Sequence, residues 1–143
     1  MLTVRLTKRD PRAQIPAYQT AGAAGFDLAI LDDTVVAPHA HALLRTGLGI
    51  GLPADHLLHV YPRSSLFPKH GLLLANGVGV VDPDYAGEDD EVLISVWNTR
   101  DVEVRLAGGT RVAQGIIFPR PRVQWVVADA TGATRGGFGS TGR

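Results

Sequence analysis

Apolar and polar positions alternate along most of this chain. Leu2, Val4 and Leu6 share one face of a predicted strand, Val92, Ile94 and Val96 a second, and Val102, Val104 and Leu106 a third. A period of two residues is the signature of a strand buried on one face. Further β-rich runs cover residues 33–37, 56–61, 112–118 and 123–127. Turn formers separate them at short intervals: Pro38, Gly47, Pro53 with Asp55, Gly108 with Gly109, and Pro119 with Pro121. Many short strands punctuated by Gly and Pro predict an all-β sandwich or barrel. No long segment keeps a helical period, and at most one short turn of helix is expected after Ser64, around Leu66 to Lys69.

Composition narrows the function. At 143 residues the chain suits one domain. We read residues 1–128 as its body and 129–143, rich in Gly, Ala, Thr and Ser, as a flexible C-terminal segment of the same domain. Fourteen basic residues balance fourteen acidic ones, which argues against a protein that grips polymeric nucleic acid through its phosphates. A small anionic ligand needs only a local cluster of donors. The absence of cysteine excludes disulfides and thiolate metal sites. The first ten residues are charged too early for a signal peptide, and no apolar run reaches membrane length. A soluble cytoplasmic domain is the expectation.

The densest chemistry lies in residues 76–87, Asn-Gly-Val-Gly-Val-Val-Asp-Pro-Asp-Tyr-Ala-Gly. A β-branched run framed by glycines ends here in a carboxylate, Asp82, and a ring, Tyr85. Glycines within a strand pattern mark a bulge or a close approach of main chain to something else. Exposed backbone groups from Asn76 through Val80, Val81 and Asp82 can complement the edge of a pyrimidine base. Asp82 has the chemistry of a general base for water; Asp-Pro-Asp is equally a turn sequence. Arg63, Ser64 and Ser65 gather a guanidinium, hydroxyls and backbone N–H groups, a set suited to phosphate oxygens. Gln114 interrupts an apolar strand, and a buried amide needs partners, either structural or in a ligand. Phe138 is a lone aromatic in the Gly-rich segment, available to stack on a base. His39 and His41 lie two apart with no further ligands and read as surface residues.

Five blocks, in order, carry a family resemblance: 21–28 (Ala-Gly-Ala-Ala-Gly-Phe-Asp-Leu), 62–66 (Pro-Arg-Ser-Ser-Leu), the block at 76–87, 111–114 (Arg-Val-Ala-Gln) and 135–142 (Arg-Gly-Gly-Phe-Gly-Ser-Thr-Gly). The third resembles the signature G-V-[IV]-D-x-D-Y-x-G of the deoxyuridine triphosphatases (dUTPases), and the others resemble that family's remaining signatures. The resemblance implies a jelly-roll-like fold, a homotrimer with sites shared between subunits, and Mg2+-dependent hydrolysis of dUTP to dUMP and pyrophosphate. That reaction keeps uracil out of DNA and supplies dUMP for thymidylate synthesis.

By the same resemblance Asp82 primes the water that attacks the α-phosphorus, Tyr85 lies under the deoxyribose, and Leu93 borders the base. Ser64 meets the oxygen bridging the α- and β-phosphates, and Gln114 contacts phosphate and water. Arg135, Phe138, Gly139, Ser140 and Thr141 close over base and γ-phosphate. Asp27 touches metal-bound water as an outer-shell contact, the Mg2+ itself being held mainly by the triphosphate. Arg111 is expected to pair with an acidic residue nearby.

Two features depart from the pattern. The fifth block is two residues shorter between its arginine and phenylalanine, which sets Arg135 apart. Residues 87–91, Gly-Glu-Asp-Asp-Glu, are longer and more acidic than the usual turn and are expected to point into solvent. Two rival readings compete with this one. A dCTP deaminase-like enzyme of the same fold needs a glutamate where Ser95 stands, and a non-catalytic β-sandwich binding module has no need for Asp82, Gln114 and Phe138 together.

Overall fold

A computed structural model describes residues 2–134 and Gly136, and within them eleven strands and one five-residue helix form the fold. Strand β1 (Arg5–Lys8) pairs with β5 (Leu48–Gly51), and β3 (Thr34–Val36) pairs with β10 (Val104–Leu106). A three-stranded sheet sets β9 (Leu93–Asn98) between β4 (His41–Arg45) and β7 (Leu72–Leu74). A four-stranded sheet runs in the order β2 (Phe26–Ala29), β11 (Arg111–Pro119), β6 (His56–Pro62), β8 (Gly79–Val81). Every pairing is antiparallel. The sheets face one another across one core as a jelly-roll-like sandwich.

Alternation explains how each strand contributes. On β9, Ile94 and Val96 are buried with Val92 just before them, while Leu93 and Trp97 face outward. Leu58 and Val60 of β6 and Val112 of β11 fill the core from the opposite sheet, joined by Leu28, Leu44, Leu48 and Leu72. Two polar side chains are buried among them. The Thr46 hydroxyl donates to the Val92 carbonyl at 2.6 Å, and the Asn98 amide donates to the carbonyls of Val36, Ala37 and Val102 at 3.1, 3.0 and 2.9 Å. Helix α1 (Leu66–His70) falls where the sequence puts it, after Ser64. Pro68 is tolerated in its first turn, where N–H groups have no helical acceptor. Gly71 ends it in the left-handed conformation at φ 64°, the usual helix stop.

Two expected strands differ. Val102 lies outside β10 and is exposed, because the chain turns back through Asn98 before the strand begins. Residues 123–127 form no strand, and Trp125 and Val127 are 90% and 101% exposed. Their β-forming side chains meet no free strand edge of the same chain once Pro119 and Pro121 have led it off the sheet. The segment expected at 129–143 is described only as far as residue 134 and at Gly136, without regular structure there.

Candidate active site

Residues 75–78 carry the chain from β7 in one sheet to β8 in the other. β7 and β8 do not pair with each other. Gly77, at φ 69°, makes the turn possible, and its N–H donates to the Leu74 carbonyl at 3.1 Å. β8 then lies at the edge of its sheet, bonded only to β6. Its other row of backbone N–H and C=O groups has no strand partner among the described residues. Gly79 lets β8 sit close to the sheet: a Cβ there would stand 3.0 Å from the Val60 Cβ.

Beside this edge opens a recess of about 230 Å3, lined by Asn76, Val80, Val81, Asp82, Tyr85 and Leu93, with Val60, Gly79, Glu91 and Val92. Pockets that take drug-sized ligands span roughly 300–1,000 Å3, so a recess of this size is on the scale of a small ligand such as a nucleoside. The Tyr85 N–H donates to the Asp82 carbonyl at 3.1 Å, closing a turn through Pro83. The turn reading and the site reading of this block are therefore compatible. Asp82 is exposed at the rim, and Tyr85, 39% exposed, donates its hydroxyl to the Glu91 carbonyl at 3.0 Å.

The other candidates gather elsewhere. Asp27 on β2 stands opposite Gln114 on β11, which stands opposite Tyr61 on β6. Asp27 Oδ1 takes the Arg63 Nε at 2.8 Å, and Oδ2 takes Arg111 at 3.0 Å. Arg111 thus has the acidic partner expected of it. Arg63 also donates to the Arg111 carbonyl at 3.2 Å, leaving its other terminal nitrogen free among the described residues. The Gln114 amide donates to the Pro62 carbonyl at 3.1 Å, and its oxygen packs so closely over Gly25 that a Cβ there would stand 3.0 Å away. Ser64 is exposed, and Ser65 starts α1 without its hydroxyl capping the helix. This cluster of guanidinium, amide and hydroxyls suits phosphate oxygens.

The two groups do not converge within one chain. Val81 pairs with Leu58, and Pro62, the residue before Arg63, lies four positions farther along β6, roughly 13 Å at 3.3 Å per residue. The Arg63 guanidinium then turns to Asp27 on β2, at the far edge of the sheet from β8. Arg135, Phe138, Gly139, Ser140 and Thr141 lie outside the described residues.

Among the described residues no three His, Cys, Asp or Glu side chains cluster to hold a metal. His39 and His41 turn to separate partners, Asp101 and Ser95, each at 2.8 Å. The acidic loop corrects its expectation in part. Glu88 and Asp89 are exposed, but the Glu91 side chain is 14% exposed and lines the recess. Its position directly before the buried Val92 was the available signal. A larger apolar recess of about 470 Å3, beside Leu6, Tyr18 and Phe26, holds none of the candidate residues.

Known proteins of one family resemble this chain in sequence and fold. A family profile described as dUTPase matches residues 11–142. The deoxyuridine 5'-triphosphate nucleotidohydrolase of Wolinella succinogenes is 40% identical over 145 residues, spanning 99% of this chain and 95% of the relative. A dUTPase crystal structure from Streptococcus mutans superposes with TM-score 0.78 at 32% identity, over 85% of this chain and 98% of that one. A Staphylococcus bacteriophage 80alpha dUTPase with dUpNHpp shares the fold, with TM-score 0.83 at 22% identity over 98% of each chain. No helix among the described residues is long and apolar enough to cross a membrane.

Proposed function

The chain belongs to the dUTPase family, and from that premise we propose that it hydrolyses dUTP to dUMP and pyrophosphate, with Asp82 as general base for the attacking water. The observation that carries the reading is the recess beside the free edge of β8, with Asp82 and Tyr85 at its rim.

Each part of the substrate has a complement. Uracil presents carbonyl, N–H and carbonyl along one edge, which unpaired backbone groups between Asn76 and Asp82 can match. Cytosine would set an amino donor against a backbone donor and leave both unpaired, at about 1–3 kcal/mol for each buried group. Leu93 borders the base. The Tyr85 face offers a 2′-hydroxyl no partner and too little room. Asp82 accepts a proton from the water that attacks the α-phosphorus, a contribution of about 10²–10⁴-fold. Arg63, Ser64, Ser65 and Gln114 receive the phosphates, with Ser64 toward the oxygen on which leaving-group charge develops. Arg135, Phe138, Gly139, Ser140 and Thr141 complete the site over base and γ-phosphate. Asp27 would contact a water of a Mg2+ ion held mainly by the triphosphate, and that ion would supply neutralisation of phosphate charge.

The separation of the recess from the Asp27–Arg63–Gln114 cluster supports a homotrimer in which neighbouring copies face one group with the other. The enzyme would then act on free nucleotide in the cytoplasm. Pyrophosphate release from dUTP, dTTP and dCTP with Mg2+ tests the reading. Release from dUTP alone is expected; ammonia from dCTP would instead indicate a deaminase, and silence on all three a binding module.

A further inference from the structure

Glu91 lies against the same recess and has no role in the chemistry above. Both its carboxylate oxygens are engaged. Oε1 accepts the Gly47 backbone N–H at 2.7 Å, and Oε2 accepts the Arg45 Nε and a terminal nitrogen at 3.2 and 3.0 Å. Its carbonyl accepts the Tyr85 hydroxyl at 3.0 Å. One residue therefore ties the turn between β4 and β5 to the phenol at the rim of the site. Arg9 fastens the rest of the loop: its backbone N–H donates to the Gly47 carbonyl at 2.7 Å, and its guanidinium donates to the carbonyls of Gly87 and Asp90.

We propose that Glu91 is a positioning residue that holds the Tyr85 ring in place and thereby sets the preference for deoxyribonucleotide over ribonucleotide. The inference rests on the recess being the dUTP site. An aromatic face rejects a 2′-hydroxyl only if the ring cannot retreat. Tyr85 is substantially exposed, so neighbouring side chains alone do not cage it. The bond to the Glu91 carbonyl resists its swing about the Cα–Cβ axis. That carbonyl belongs to the peptide whose Val92 N–H donates to the Leu48 carbonyl at 2.8 Å, and the carboxylate of the same residue, latched to Gly47 and Arg45, holds the peptide from its other side. Glutamine keeps one acceptor for the Gly47 N–H but sets an uncharged amide against Arg45, which weakens the latch without removing bulk.

The test compares kcat/KM for dUTP and UTP in the wild type, Glu91→Gln, Tyr85→Phe and the double variant, with dissociation constants of dUMP and UMP from calorimetry. Each single variant is expected to lower the dUTP/UTP ratio roughly fivefold to tenfold, the scale of one net hydrogen bond. In Glu91→Gln the loss is expected mainly through better use of UTP, with tighter UMP binding and a melting temperature close to wild type; in Tyr85→Phe, which alters the binding surface itself, the ratio alone is read. The double variant is expected to lose little more than either single, since both cut one tether. Parallel loss on both substrates in Glu91→Gln, or additive losses in the double variant, overturns the proposal. Arg45→Gln, which weakens the latch from its far side, carries the same comparison if Glu91→Gln does not fold. A wild type inactive on dUTP defeats the functional reading; a dUTP-selective wild type whose variants keep their ratio defeats this inference alone.

Discussion

Asp82 occupies the point where β8 gives way to a turn, and both circumstances serve a base. The turn through Pro83 fixes its backbone, since the Tyr85 N–H is returned to the Asp82 carbonyl at 3.1 Å. Exposure keeps the carboxylate within reach of a water molecule. Asp82→Asn retains the shape and one acceptor but cannot take up a proton at neutral pH. We expect kcat on dUTP to fall about 10²–10⁴-fold, while the dissociation constant of a non-hydrolysable dUTP analogue stays within a factor of about three. Single-turnover kinetics and calorimetry separate the two effects. Turnover close to wild type would remove Asp82 from the role of base.

At the scale of elements, β9 shows what amino-acid pattern can and cannot disclose. Its apolar face, Ile94 and Val96 with Val92 before it, was legible because one side is buried and the other open. So was β11, whose run of β-forming residues is long. β5 and β7 were not legible: Leu-Gly-Ile-Gly sets glycine, a turn former, at every second position, Leu-Leu-Leu carries no alternation, and strands that short are specified by the sheets that receive them. Residues 123–127 differ in the opposite direction, with strand chemistry but no pairing to any strand among the described residues. The role of Asn98 was also hidden, because nothing in sequence says that one amide will meet three carbonyls.

That amide joins the end of β9 to β3 and to the connection before β10, and its oxygen accepts the Arg100 N–H at 3.0 Å. Asn98→Ala strands these groups away from water. We expect a loss of roughly 2–3 kcal/mol in unfolding free energy, read as a lower urea midpoint with an unchanged m-value at fixed protein concentration. An effect below about 0.5 kcal/mol, the ordinary range for surface substitutions, would mean that water satisfies the carbonyls and that the amide is no stitch.

On the scale of the whole molecule, the candidate site was legible residue by residue but not in its division. The chemistry of a base pocket and a phosphate cluster can be recognised from short blocks; where those blocks stand relative to each other depends on strand register. Val81 opposite Leu58, and Arg63 beyond the far end of β6 and turned toward β2, hold the two groups apart in one chain. If copies complete each other, a subunit lacking Asp82 and a subunit lacking Gln114 can rescue one another. Asp82→Asn and Gln114→Ala homo-oligomers should each be nearly inactive. Unfolded together in equal amounts and refolded, they should recover about a quarter of wild-type activity, since a site drawing its two groups from different chains is intact at random with that frequency. Sites contained within single chains give no recovery at all. The outcome is insensitive to modest folding losses, because it is compared with each variant refolded alone, and it distinguishes a shared site from a self-sufficient one without requiring a bound ligand.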